Sequence, residues 1–285
     1  MTKIAFLGTG LIGAGLAEAA ARRGLHVTVW NRTRAKAEAI PGAHVADSPE
    51  AAVAGAVRIH IALTDDAVVQ AVLDQVLAHA PEALASAVVV DHTTTGPEPT
   101  AARAKALAER GIRYLHAPVF MSPQMCRDAA GVMLAAGPKA TYQAVAGALA
   151  EMTGKVQYLG EEPGRAAAFK LFGNAMIFFV VQGLSDVFAM AKNLGISAED
   201  ARSLFDTFSP VGVLQYRGAN MARGDYAAAF ELTMARKDAR LMLEAAGAEA
   251  TPGLEAIAAR MDDLIQRGFG ANDLGVLAVD AVPKR

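Results

Sequence analysis

One cysteine, Cys126, is all that 285 residues provide. An intrachain disulfide is excluded, and a reducing compartment is compatible. Charge of either sign is not in excess: 27 Lys and Arg against 29 Asp and Glu leave a net −2. That balance argues against an electrostatic grip on nucleic acid or on an anionic membrane. No basic leader with an apolar stretch precedes the first strand-like run, so no signal peptide is expected and a cytoplasmic location is. The most membrane-like run, Ala175 to Val181, is far too short to span a bilayer. His26, His44, His60 and His79 show no pairing pattern, and no metal-ligand spacing occurs, so no metal is expected. Repeats and low-complexity linkers are missing as well. What the chain has in quantity is apolar residues, 53% of the total, enough for a large core. Its length allows two domains.

Residues 4–33 are the most informative stretch. Ile4 to Leu7 has the length and apolarity of a buried strand, and Gly8, Gly10 and Gly13 follow in the spacing G-x-G-x-x-G. In a strand–turn–helix setting each glycine has a task. Gly8 permits the tight turn, Gly10 lets the backbone approach a pyrophosphate, and Gly13 lets the helix pack against the strand. The helix N-terminus offers N–H groups and a positive dipole end to phosphate. The second strand, His26 to Trp30, ends in Asn31, Arg32 and Thr33 with no acid. An NAD site usually has Asp or Glu there for the ribose 2′-hydroxyl; a guanidinium instead binds a 2′-phosphate. NADP(H) is therefore expected over NAD(H), the other reading being that Arg32 is a solvated surface charge.

Strands and helices go on alternating. Val57–Leu63, Ala87–Asp91, Ile112–His116, Val132–Ala136 and Val156–Leu159 read as strands, with helices over 65–79, 97–111 and 138–152 between them. This pattern predicts an α/β fold with a doubly wound, mostly parallel sheet of the Rossmann type. It changes at Glu161-Glu162-Pro163-Gly164. Residues 165–193 read as one long helix, with further helices over 198–209, 231–246 and 254–266. The expectation is a dinucleotide-binding domain over 1–162 and an all-α domain over 163–285, joined by the long helix.

That helix carries the best candidate for chemistry. Lys170 and Asn174 are four residues apart and share a face among Phe169, Leu171, Phe172 and Ile177. A buried lysine loses part of its proton affinity, which suits proton transfer to a developing alkoxide. The competing reading is a lysine on a wet face or one that snorkels to water. MIFFVVQGLSDVFAM is apolar on nearly all faces, which predicts burial against a second copy in a homodimer. Elsewhere the bland readings prevail. His92 reads as a hydrogen-bonded structural histidine, Cys126 as an inert thiol in a loop beside Arg127, and Asp65-Asp66 as a helix start.

Several of these segments, in the same order, resemble the signatures of the β-hydroxyacid dehydrogenase family, which includes 3-hydroxyisobutyrate dehydrogenases and short-chain semialdehyde reductases. GTGLIG (Gly8, Thr9, Gly10, Leu11, Ile12, Gly13) with VWNRT resembles the first signature. Leu63-Thr64 and Thr93-Thr94 resemble segments that line the cofactor, and HAPV at 116–119 the start of the substrate loop. Gly164 through Lys170 to Asn174 resembles the catalytic signature, Lys237-Asp238 a fourth whose lysine reaches the cofactor, and GFGANDLG at 268–275 the C-terminal turn. The resemblance implies an NADP-dependent oxidoreductase that interconverts a small aldehyde or ketone, semialdehyde acids included, and its alcohol. Lys170 would be the general acid and Asn174 would hold the substrate. The chain departs from the family in the substrate loop. Phe120, Met121 and Ser122 stand where Ser-Gly-Gly is usual, so the carboxylate cradle is expected to be reshaped and the pocket more apolar. This loop is similar to that of imine reductases, which gives the alternative activity. A non-catalytic NADPH-binding regulator is the third reading.

Overall fold

A computed structural model describes residues 2–283. The chain begins with β1 (Lys3–Leu7), α1 (Leu11–Arg22), β2 (His26–Trp30), α2 (Arg34–Glu38), β3 (His44–Val45), α3 (Pro49–Val53) and β4 (Arg58–Ile61). It continues with α4 (Asp66–His79), α5 (Pro81–Ser86), β5 (Val88–Asp91), α6 (Pro97–Ala108), β6 (Arg113–His116), β7 (Val119–Phe120) and α7 (Pro123–Arg127). Then come β8 (Val132–Ala135), α8 (Lys139–Ala150), β9 (Lys155–Tyr158) and the long helix α9 (Gly164–Asn193). The remainder is helical: α10 (Ala198–Ser203), α11 (Val211–Arg223), α12 (Leu232–Ala246) and α13 (Pro252–Leu264), with 3-10 turns at Leu204–Asp206 and Leu274–Ala278. Two compact units result, Met1–Asn174 and Ala175–Arg285, and the division falls inside α9.

In the first unit the six-stranded sheet has the order β3-β2-β1-β4-β5-β6, and every pair is parallel. Alternate residues of one strand serve opposite faces. Ile4 and Phe6 of β1 join a cluster with Leu16 and Leu149, while Ala5 and Leu7 join another with Val69 and Leu73. Both faces are covered by helices, which is why β1 and β5 read as unbroken apolar runs. The order reverses between β1 and β4, and the crevice beyond their carboxyl ends is where doubly wound sheets place a ligand. A smaller sheet, β7-β8-β9, adds an antiparallel pair, Val119 against Met133 and Phe120 against Val132. The Rossmann-type α/β fold and the following helical region are as the sequence indicates.

Local departures are confined to short elements and one helix. Cys126 lies in α7 and not in a loop; Ser122 caps that helix by accepting from the Met125 N–H at 3.2 Å. The expected helix over 198–209 breaks at Ser203 into a 3-10 turn. Helix α11 was not expected, because two glycines and few strongly apolar residues mask its period.

The second unit has a small core of its own. Leu232, Ala235 and Ala239 of α12 pack with Ala258, Met261 and Leu264 of α13 and with Val276. Asp273 ties the unit together: it accepts from Arg217 Nε at 2.7 Å and from the N–H groups of Ala229, Phe230 and Gly275 at 3.1, 3.0 and 2.8 Å. Buried Asp186 of α9 accepts from the Leu254 N–H at 2.7 Å, capping α13. The apolar run 175–181, too short alone, lies within a 30-residue helix that is long and apolar enough to cross a membrane by length and composition only. Only 6% of its most apolar window is buried.

Candidate active site

The glycine turn is shaped by contacts that exclude side chains. At Gly8, with φ +100°, a Cβ would lie 2.2 Å from the Ala62 carbonyl oxygen; at Gly13 it would lie 2.1 Å from that of Gly8. At Gly10 a Cβ would meet nothing within 4 Å. Gly8 and Gly13 serve packing, and Gly10 faces open space. Helix α1 has no side-chain cap and no acid in its first turn. Its first N–H groups are thus left for an anion. The Thr9 N–H donates to Asn31 Oδ1 at 3.0 Å, and Asn31 Nδ2 donates to the Thr33 carbonyl at 3.0 Å. Asn31 therefore braces the turn from the end of β2, where an NAD site would carry its acid.

A cleft of about 920 Å³ opens from this turn. Gly10, Leu11, Ile12 and Gly13 line one end together with Asn31, Arg32 and Thr33. Lys36, unnoticed in the sequence, joins them; it lies four residues beyond Arg32 on the short helix α2. Arg34 is committed elsewhere, to Glu38 at 2.8 Å and to Asp47. Arg32 makes no ion pair among the described residues. Leu63, Thr64 and Thr94 form the opposite wall, where the Leu63 N–H donates to Thr93 Oγ1 at 3.1 Å and stitches the two loops together.

Lys170, Met121, Val119 and His92 line the cleft's other end. Lys170 is 8% exposed, and no carboxylate or hydrogen-bond acceptor among the described residues meets its ammonium. Its Nζ stands 3.9 Å above the centre of the Phe120 ring. Burial lowers the lysine below its ordinary range. Phe120 lies behind Lys170 and not on the cleft wall. Gly173 gives it room, since a Cβ there would be 2.3 Å from Phe120 Cζ. Asn174, one turn beyond Lys170, is half-buried and off the wall, and Ser122 is exposed. Lys237 belongs to the second unit, where its Nζ pairs with Asp238 at 2.9 Å.

The histidines of this wall are paired, contrary to the sequence reading of His60. The Ala117 carbonyl accepts from His92 Nδ1 at 2.7 Å, so Nε2 of that ring must accept; it lies 3.0 Å from His60 Nδ1. Burial lowers both rings, and both are neutral near pH 7. His116 is buried in β6 with Nε2 3.0 Å from the Thr93 carbonyl. Cys126 is buried, its thiol pushed up to about 11 by desolvation against the pull of Arg127, as an inert thiol should be.

The family described as the NAD binding domain of 6-phosphogluconate dehydrogenase matches residues 3–160, which include the glycine turn, Asn31 to Thr33, Leu63, Thr64 and Thr94 and stop short of Lys170. The chain belongs to this family. An uncharacterized oxidoreductase of Bacillus subtilis (strain 168), YfjR, is 30% identical over 96% of this chain and 98% of its own length. The glyoxylate/succinic semialdehyde reductase 1 of Arabidopsis thaliana is 28% identical over 97% of this chain and 96% of its own. Among solved structures, a reductive aminase from Aspergillus terreus in complex with NADPH4, cyclohexanone and allyl amine superposes with a TM-score of 0.87. It is 27% identical and covers 98% of this chain and 99% of that one. This member of the 6-phosphogluconate dehydrogenase-like family is an NAD(P)-dependent oxidoreductase.

The residues present fit a nicotinamide dinucleotide. The open side of Gly10, the uncapped start of α1 and a cleft running on to Lys170 supply a phosphate seat and an elongated slot. Sequence reasoning missed Lys36 because five residues are too few for a helical period to show. Gly173 is a signal visible along the chain: a glycine inside a strong helix costs stability and usually marks close packing.

Proposed function

We propose that this protein interconverts a small aldehyde or ketone and its alcohol with NADP(H), and that Lys170 is the general acid for reduction and the base for oxidation. One observation carries this reading: a buried ammonium without a carboxylate opens onto the cleft that begins at the phosphate-binding turn. A bound nicotinamide supplies or accepts the hydride. Lys170 donates its proton to the carbonyl oxygen as negative charge develops there, and its lowered proton affinity eases that transfer. A preorganised donor of this kind lowers a barrier by about 3–4 kcal/mol. Asn174 holds the substrate beside Lys170. The backbone at 8–13 and Leu63, Thr64 and Thr94 hold the dinucleotide; Lys237 of α12 reaches it. Arg32, aided by Lys36 and Thr33, takes a 2′-phosphate and makes NADP(H) the preferred form.

The functional division falls at residue 162, with cofactor binding before it and substrate binding and dimerisation after it. A second copy covers the apolar face of α9, where Phe178 and Phe179 are 70% and 71% exposed. A homodimer accounts for that face without a membrane, and a cytoplasmic location goes with it. A second reading, NADPH-dependent imine reduction, is favoured by the likeness to the reductive aminase over nearly the whole chain.

The test is oxidation of NADPH and of NADH by the purified protein against neutral aldehydes, aldehyde acids and cyclic imines. Turnover with aldehydes, better with NADPH, is expected, and Lys170→Ala should lower kcat about 100-fold or more with cofactor affinity little changed. Near-wild-type turnover of the variant overturns the role of Lys170. Turnover with imines alone transfers the assignment to the second reading.

A further inference from the structure

The Lys170 ammonium has an aromatic face where a carboxylate or hydroxyl partner would be expected. Three features of the chain make that arrangement. Phe120 ends the short strand β7 and is held by its pairing with Val132. Gly173 removes the side chain that would occupy the ring's place on α9, and Gly131, with φ +85°, lets the Phe120 carbonyl approach to where a Cβ would be 2.7 Å away. The ring face then attracts the cation and limits where it can point.

Among the described residues, the rest of that wall carries no second cation for an anion. Met121 and Val119 are apolar, and His92 is neutral, with its two ring nitrogens engaged by Ala117 and His60. Ser122 caps α7, is exposed and lies off the cleft wall. Arg32 and Lys36 are charged but belong to the phosphate end of the cleft. Lys170 is the one cation at this end of the cleft among the described residues, and a substrate carboxylate that paired with it would draw it away from the reacting oxygen.

We propose that Phe120 positions the Lys170 ammonium, and that this end of the cleft takes an uncharged carbonyl substrate with apolar substituents in preference to a carboxylate-bearing one. The proposal rests on the reductase reading above. Phe120 is a positioning residue: it acts through Lys170 and does not touch the cleft.

The experiment compares a neutral aldehyde with the aldehyde acid of the same chain length, using the NADPH-supplied protein, its Phe120→Leu variant and its Gly173→Ala variant. The wild type should favour the neutral aldehyde at least tenfold in kcat/KM, and simple carboxylates should inhibit competitively against it. Phe120→Leu should lower kcat more than it raises KM. It should also shift the loss of reduction with rising pH to lower pH by about half a unit to one unit, because the ring no longer favours the charged lysine. Gly173→Ala displaces the same ring and should reproduce the shift, and the double variant should be no worse than the poorer single one. Preference for the acid overturns the substrate assignment. An unmoved pH profile in a folded Phe120→Leu protein overturns the positioning role. Turnover of neither aldehyde overturns the reductase reading, and this inference with it.

Discussion

Apolar side chains are distributed differently in the two units. In the first, Leu73, Leu84, Leu115 and Leu149 are completely enclosed, in clusters on both faces of one sheet. In the second, Leu232 and Leu264 are comparably enclosed, but Phe178, Phe179, Val181 and Tyr216 are more than half exposed. A parallel sheet flanked by helices closes its own core. Helix α9 is apolar on nearly all faces, and much of that apolar surface is left open. The unit that holds the nucleotide turn closes two large cores, while the other relies on one small core and on polar clamps such as Asp273.

The contrast can be broken in three places. The largest effect is expected from Leu73→Ala, which opens a cavity beneath the sheet and should cost about 2–5 kcal/mol in denaturant unfolding. A cost under half a kcal/mol would mean that the first core is not closed. Next is the pair Phe178→Asp and Phe179→Asp. These charges fall on exposed positions, so the isolated fold should persist while self-association weakens about 100-fold or more, read by light scattering at micromolar protein. An unchanged mass would show that the face is not an interface.

The smallest effect concerns the clamp at Asp273. Burial works against its charge, but Arg217 and the N–H groups of Gly275, Phe230 and Ala229 outweigh that and hold the carboxyl far below its ordinary 3.8. The folded value is the lower one, so the stabilisation is complete above about pH 4 and drains away as pH falls from there toward the folded value. Asp273→Asn should cost the second unit about 1.5–3 kcal/mol at neutral pH and less at pH 3. An equal loss at both would show that the charge is not what holds the clamp.

Much of the first unit was legible because its signals are local. The alternation of strand and helix, the glycine spacing and the missing acid after β2 are read along the chain without reference to anything distant. The short elements α2, β3, α3, α5, α7 and β7 were not legible, since two to six residues carry no measurable period. Lys36 and the cap formed by Ser122 were lost with them.

The site divides along the same line. Lys170 and Asn174 could be named from an i, i+4 spacing, and the resemblance of the surrounding segments gave them roles to test. What faces Lys170 could not, because Phe120 lies 50 residues away in sequence and reaches it only through β7. His60 looked unpaired for the same reason: its partner, His92, is 32 residues distant and comes alongside only when β4 and β5 pair in parallel. By itself the sequence determined the doubly wound sheet, the phosphate-binding turn and the lysine on its apolar helix, because backbone geometry and side-chain period act between near neighbours. Only the tertiary structure decided that the lysine would meet an aromatic ring and no acid, and that α9 would keep its apolar face open, because those outcomes depend on which distant segments the sheet order brings together.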